Sequence, residues 1–335
     1  MMESQETPQN IKSLDEIGLG VRIQVIGVGG SGSNAVDHMI QCGVRGVDFI
    51  SVNCDVHDLH RNKTEKKIQI GKNLTRGLGA GMNPDIGSLA AEETKDEIRD
   101  ATKGVDMVVI TCGLGGGTGT GASPIIAEVA KAQGSLVIAV VTKPFSFEGA
   151  ERARIAEEGL KRLTEVVDTV IVIPNDRLLE IPNTKITLKD AFFLCDDVLK
   201  NAVQDIAELI VMPGIINIDF ADVQAIMGDS GRAIMGTGTA KGDGRAKEAA
   251  RKAISSPLLE ISIDGARGIL FAVSGGDDLT LFEIHEAAKI ITDSVDPQAK
   301  IIFGAFRDDA VNKGFIKITV IAAGFSHPKS DSCHR

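Results

Sequence analysis

The chain alternates short apolar runs with stretches of helical period. Val21–Ile26, Val47–Val52, Lys67–Ile70, Val105–Thr111, Leu136–Thr142 and Thr169–Ile173 are short runs rich in β-branched residues and bounded by glycine or polar positions, which predicts strands. Between them, Asn34–Gln41, Pro84–Thr102, Gly121–Gln133 and Glu148–Thr164 read as helices, and Pro84 suits a first helical turn. Strands alternating with helices predict a parallel α/β sheet. Leu188–Val211 predicts a longer helix, ended by Pro213-Gly214.

The second half changes character. After Asp222 the pattern gives a short helix, a glycine-rich strand (Arg232–Thr239), a helix (Gly244–Ser255), a strand (Gly268–Val273) and a helix (Leu281–Ser294). Lys300–Phe306 and Phe315–Ile321 read as neighbouring strands around an Asn312-Lys313-Gly314 turn. This is a smaller mixed α+β domain, with its boundary at 212–220. Residues 1–19 read as a flexible arm, and the polar residues 326–335 as a disordered tail.

Composition narrows the classes. Trp and Tyr are absent, so Val, Ile, Leu and Ala must fill the cores, which suits buried parallel strands. Lys+Arg 36 against Asp+Glu 46 leaves a charge of −10 and no basic stripe, which argues against nucleic-acid binding. Five cysteines lie scattered without a C-x-x-C pair, which fits a reducing cytoplasm. The polar first residues lack the apolar core of a signal peptide, and no apolar run reaches the roughly 18 residues of a membrane span.

Two glycine clusters carry the chemistry. Gly27-Val28-Gly29-Gly30-Ser31-Gly32-Ser33-Asn34 follows a strand and opens a helix, where bare backbone can approach phosphate oxygens. It satisfies G-x-G-x-x-G, with Asp48 or Asp55 about 20 residues on, and alone it points to a dinucleotide site in an NAD-dependent oxidoreductase. The second cluster, residues 113–121, also joins a strand to a helix, and six of its nine residues are glycine. Glycine is entropically expensive to order, so such a run predicts a chain curved around a phosphate. No G-x-x-x-x-G-K-[ST] occurs, so charge neutralisation falls to N–H groups, a metal ion and Arg152.

Other pairs stay open on the residues alone. Glu148 and Arg152 are either a surface i,i+4 ion pair or part of a site. Phe192 and Asp196 share a helix face, as a core ring beside a solvated acid or as a base-stacking pair. Asp219 and Asp222 lie three apart, and one of them can simply cap the next helix. Both follow the long helix and so fall on the far side from the glycine loops. Cys54, His57 and His60 have metal-compatible spacing but read as a helix surface.

Taken together, the motifs resemble the tubulin/FtsZ family, and within it the bacterial cell-division GTPases. The resemblance rests on Gly-Gly-Gly-Thr-Gly-Thr-Gly at 115–121, Lys143-Pro144-Phe145, Phe147-Glu148-Gly149, Ile173-Pro174-Asn175-Asp176 and Asn217–Asp222, and it runs from about Val21 to Phe325. It implies a tubulin-type GTP-binding domain (20–187), a central helix (188–211) and a C-terminal assembly domain (212–325). It further implies a GTPase that polymerises head to tail into protofilaments forming the division-site ring at mid-cell, with the active site shared between subunits. A filament that binds nucleotide without hydrolysing it is the alternative.

The resemblance assigns residues as well. Phosphates fall to Gly30, Ser31, Gly32, Ser33 and Asn34, to Gly115, Gly116, Gly117, Thr118, Gly119, Thr120 and Gly121, and to the γ-phosphate-sensing turn Gly79-Ala80-Gly81. Thr142, Pro144, Glu148 and Arg152 flank the ribose and phosphates. Asn175, Phe192 and Asp196 recognise guanine. Asn217, Asp219 and Asp222 reach the next subunit's nucleotide as catalytic groups. GTP or GDP is the implied ligand, with Mg2+ and a monovalent cation as a further candidate; the metal's protein ligands are unknown. Cell-division proteins are implied partners. The family's usual C-terminal tether-docking peptide has no match in 326–335, so the resemblance does not carry membrane-tether binding to this chain. Ser31 and Ser33 stand where the family has glycines, and at a positive φ each would cost about a kcal/mol or more.

Overall fold

Residues 20–179, 187–212, 214–256, 263–307 and 314–325 are described by the computed structural model of the protein. The predicted arm, the tail, Pro213 and the Asn312-Lys313 part of the predicted turn lie outside them. The first half runs β1 (Ile23–Val28), α1 (Gly29–Gln41), β2 (Asp48–Asn53), α2 (Val56–Arg61), β3 (Lys66–Gln69), α3 (Lys72–Thr75), α4 (Pro84–Glu93), α5 (Lys95–Ala101), β4 (Met107–Gly113), α6 (Gly117–Ala132), β5 (Leu136–Lys143), α7 (Ala150–Val166), β6 (Thr169–Pro174), α8 (Asp176–Leu179) and α9 (Leu188–Val211). The second half runs β7 (Gly214–Ile216), α10 (Phe220–Met227), β8 (Gly231–Lys241), α11 (Arg245–Ile254), β9 (Gly268–Gly275), α12 (Leu281–Thr292), β10 (Lys300–Arg307) and β11 (Phe315–Ala323).

All the strands among the described residues join one eleven-stranded sheet in the order β3-β2-β1-β4-β5-β6-β8-β11-β9-β10-β7. The stretch from β3 to β8 is wholly parallel, as the strand–helix alternation predicts. Strand order reverses between β1 and β4, and ligands of open α/β sheets bind at such a switch point, beyond the carboxyl ends of the strands. Both glycine clusters leave the sheet there. The two halves meet along β6 and β8 in only three register pairs, Thr169–Gly231, Val170–Arg232 and Ile171–Ala233.

Apolar packing explains the rest. Helices α4 to α7 cover one face of the parallel strands through Ala90, Ile98, Ile126 and Leu160. The other face packs on α1 (Val36, Met39) and on α9 (Leu199, Val203, Ile206), and the same core reaches Val223 and Ile226 of α10 and Leu270 of β9. Helix α9 starts at a capping box: Thr187 Oγ1 accepts from the Asp190 amide, and the Asp190 side chain accepts in return from the Thr187 amide. Its 24 residues, at about 1.5 Å each, span roughly 36 Å, from the carboxyl ends of the parallel strands to the segment that enters β2.

Two expectations fail here. The predicted helix Pro84–Thr102 is broken at Thr94. The Thr94 hydroxyl donates to the Ala90 carbonyl and accepts from the Gly71 amide, which turns the chain between α4 and α5. Strands β10 and β11 are not neighbours. Helix α12 carries β10 across to lie parallel to β9, and β11 returns antiparallel between β8 and β9. Periodicity identified both strands but carries no information on their partners.

Candidate active site

A cleft of about 650 Å³ opens at the switch point, inside the roughly 300–1,000 Å³ usual for small-molecule sites. Its floor is made of helix N-termini. Helix α1 begins at Gly29 and α6 at Gly117, each earlier than periodicity predicts, because the glycines themselves form the first turns. Neither helix has a side-chain cap, and neither has an acid in its first turn. Two sets of first-turn N–H groups therefore face the cleft with their dipoles unopposed, an arrangement suited to phosphate. Gly29, at φ +71°, brings the two loops into contact.

The glycine run has a second cause that its composition does not reveal. A Cβ on Gly117 would lie 2.8 Å from the Ala80 Cβ, and one on Gly121 would overlap the Pro84 carbonyl. Gly121 lets α6 press against α4, Gly117 against the turn before α4, and Gly119 against the ends of β1 and β4. Gly116 alone of the run faces open space.

The structure gathers most of the predicted residues in this cleft. Gly30, Ser31, Asn34, Gly79, Ala80, Gly81, Gly116, Gly117, Thr118, Gly119, Thr142, Pro144, Glu148, Arg152, Asn175, Phe192 and Asp196 line it. Gly32, Ser33, Gly115, Thr120 and Gly121 do not; they lie behind the wall and shape it. The Thr120 hydroxyl, for example, accepts from the Gly115 amide at 2.9 Å. Ser31 and Ser33 sit in α1, and neither is among the residues with positive φ, so the predicted strain does not arise.

At one end, Phe192 meets the Phe145 ring edge-on at 5.5 Å, with part of its surface exposed to the cleft. Burial pushes the neighbouring Asp196 carboxyl up to about 7. Asn175 is 5 % exposed, and its Oδ1 has no partner among the described residues. Glu148 accepts from the Phe145 amide and pairs with Arg152 at 2.7 Å, so the i,i+4 ion pair is formed and also borders the cleft. Sequence reasoning missed Asn53 and Asp58, which also line it, and offered Asp55 only as the acid of a dinucleotide site. Asn53 Nδ2 is buried without a partner among the described residues. Its position at the carboxyl end of a strand beside the switch point was the available signal.

Asn217, Asp219 and Asp222 lie elsewhere. Strand β7 runs antiparallel to β10, so its downstream end lies at the edge where the parallel strands begin, opposite the cleft. Helix α9 ends at that same edge, with Val211 against Gly46 just before β2. Asn217 accepts from the Gly214 amide at 2.6 Å. Asp219 holds the N-cap position of α10, yet its side chain makes no capping bond and is exposed. The predicted capping role is therefore unfilled.

Among the described residues no group of three His, Cys, Asp or Glu could hold a metal ion. Asp55 and Asp58 line the cleft beside the first glycine loop, and a Mg2+ ion carried by phosphate oxygens and water would find its carboxylates there. No described helix is long and apolar enough to cross a membrane.

The family model for the Tubulin/FtsZ family, GTPase domain, matches residues 22–183, and that for the FtsZ family, C-terminal domain, matches residues 231–326. The empty FtsZ dimer of M. jannaschii is 45 % identical, with a TM-score of 0.87 over 95 % of this chain and 93 % of that one. The chain belongs to the FtsZ family of tubulin-like GTPases. A point mutant of the same M. jannaschii FtsZ is 46 % identical, with a TM-score of 0.87 over 93 % and 94 % of the two chains. The GTPγS-bound CetZ2 protofilament of Haloferax volcanii shares the fold at 20 % identity, with a TM-score of 0.79 over 92 % and 94 %. A doubly wound strand order alone would also suit an NAD enzyme; membership of the FtsZ family assigns the cleft to a GTPase domain instead.

Proposed function

We propose that this chain binds GTP in the switch-point cleft and polymerises head to tail, so that Asn217, Asp219 and Asp222 of one subunit complete the cleft of the next. The observation that carries this reading is the separation of the two parts. The phosphate-facing N–H groups lie at one end of the parallel strands, and Asp219 and Asp222 lie at the other, one α9 length away. Within one subunit they cannot meet. In a stack of like-oriented copies they face each other.

In this reading the N-termini of α1 and α6 hold the phosphates, Phe192 stacks on guanine, and Asn175 and Asp196 bond its edge. Asp219 and Asp222 then orient and polarise the attacking water, a contribution typically of ~10²–10⁴-fold. Assembly into the division-site ring is the cellular role this activity would serve. The test is phosphate release measured against protein concentration, alongside light scattering with GTP, GDP and no nucleotide. Specific activity should rise steeply where scattering appears. Full specific activity that persists well below that point would sink the reading, and scattering without phosphate release would favour a non-hydrolysing filament.

A further inference from the structure

We propose that Lys131, Asp168 and Asp229 form a clamp that positions α10, and through it Asp222, for the neighbouring subunit's nucleotide. The proposal rests on the shared-site reading above. Helix α10 has eight residues and carries Asp222 in its first turn. One face is held by apolar packing of Val223, Ile226 and Met227. Apolar contact alone is non-directional and lets a short helix rotate or slide. The far end is held differently.

At that end the chain leaves α10 through Gly228, Asp229 and Ser230 into β8. Asp229 adopts a left-handed backbone at φ +47°, which is uncommon for a residue other than glycine and persists only where the surroundings hold it. The surroundings are a polar cluster from the GTPase half. Lys131, near the end of α6, pairs with Asp168 at 2.9 Å and with Asp229 at 2.8 Å. The Asp168 side chain is nearly buried and also accepts from the Val137 amide at 2.8 Å, so it is fixed to β5. The Thr169 hydroxyl, at the start of β6, donates to the Met227 carbonyl and meets the Ser230 hydroxyl at 2.7 Å. The Lys131 hydrogen bond holds the Asp229 carboxyl below the usual range.

The clamp thus fixes the last turn of α10 to three elements of the half that binds nucleotide: α6, β5 and β6. Helix α6 is the helix whose N-terminus floors the cleft, and Lys131 lies at its other end. The same helix therefore orients phosphate at one end of the parallel strands and the water-directing carboxylates at the other. Misplacing a reacting group by about 1 Å can lower a rate ~10²-fold without touching binding.

The experiment compares Lys131→Met, Lys131→Arg, Thr169→Val and Asp222→Ala with the parent chain. Each is measured for GTP affinity, polymer mass and phosphate release per polymerised subunit. Lys131→Met should bind GTP and assemble normally while turning over roughly ten- to a hundred-fold more slowly, and Lys131→Arg should restore most of the rate. Thr169→Val keeps a β-branched residue in the strand and loses only the hydroxyl, so it tests the anchor even if Lys131→Met fails to fold. It should slow turnover several-fold at unchanged GTP affinity. Parent-like turnover in Thr169→Val, or in a folded Lys131→Met, overturns the clamp. So does a slow Lys131→Met that the arginine variant fails to restore. Parent-like turnover in Asp222→Ala would instead overturn the shared-site reading itself.

Discussion

The backbones of Gly29 and Gly119 touch: a Cβ on Gly29 would lie 2.9 Å from the Gly119 amide nitrogen. Two segments far apart in sequence are thereby joined into one anion-facing floor, and that floor exists only while both positions lack a side chain.

Replacing Gly29 with Ala should therefore separate the loops. The left-handed φ of +71° adds about 1–2 kcal/mol of strain to the clash. Nucleotide affinity is expected to fall by tenfold or more, with a lower melting temperature. Gly116→Ala is the contrast, because nothing lies within 4 Å of its Cβ position. Its melting temperature should stay at the parent value while affinity drops, since the methyl enters the cleft. Thermal melting and nucleotide titration of the pair check both halves of the claim.

The Asp196 carboxyl supplies a pH prediction. Burial raises it from 3.8 to about 7, so between those values the folded protein holds a proton that the unfolded chain has released. Its contribution to stability is therefore full below about pH 4 and is lost as pH rises toward 7. Guanine recognition has the opposite sign, because the ionised carboxylate is the better acceptor for ring N–H donors. GTP affinity should weaken as pH falls below 7, and Asp196→Asn should weaken it by about 10–100-fold at pH 8 while flattening the profile. A profile of the parent chain that is flat from pH 5.5 to 8.5 would remove Asp196 from base recognition.

Complementation tests the division of labour between subunits. A variant lacking Asp222 should bind GTP and fail to hydrolyse it. A variant with a closed cleft, such as Gly29→Val, should fail to bind. Phosphate release should reappear on mixing the two, because each supplies the half that the other lacks. An inactive mixture that still co-assembles would place both halves in one subunit.

Lys317 ties the C-terminal sheet to α9. It pairs with Asp205 at 2.5 Å and with Glu208 at 3.4 Å, while Thr237 also donates to Asp205. Asp205 is buried, so Lys317→Met should destabilise the fold by about 3–5 kcal/mol by leaving a charge uncompensated. Adding Asp205→Leu should recover most of that loss. Chemical denaturation of the single and double variants measures it.

What was legible in the sequence follows from what local pattern encodes. The strands of the parallel half, α9 and the two glycine loops were readable, because burial on both faces produces continuous apolar runs and each loop sits between a strand and a helix. The pairing of β10 was not, since a crossover through α12 leaves no mark in either strand. Thr94 looked like one more helical residue until the Gly71 amide, 23 positions away, was brought beside its hydroxyl. The glycines at 113–121 were read as serving a ligand; several serve helix packing, a demand that only the position of α4 reveals. Asn53 reached the cleft because β2 lies beside β1, a matter of sheet order rather than of motif.

The length of α9 sets an inventory for any assembly built in the proposed way. A stack of such subunits holds as many nucleotide clefts as copies, but one fewer completed site. One terminus always presents GTP that no partner can cleave, and the other always presents carboxylates with nothing to act on. A pair would work at half the per-copy rate of a long polymer, and the two tips of every filament would be chemically distinct from its first contact onward.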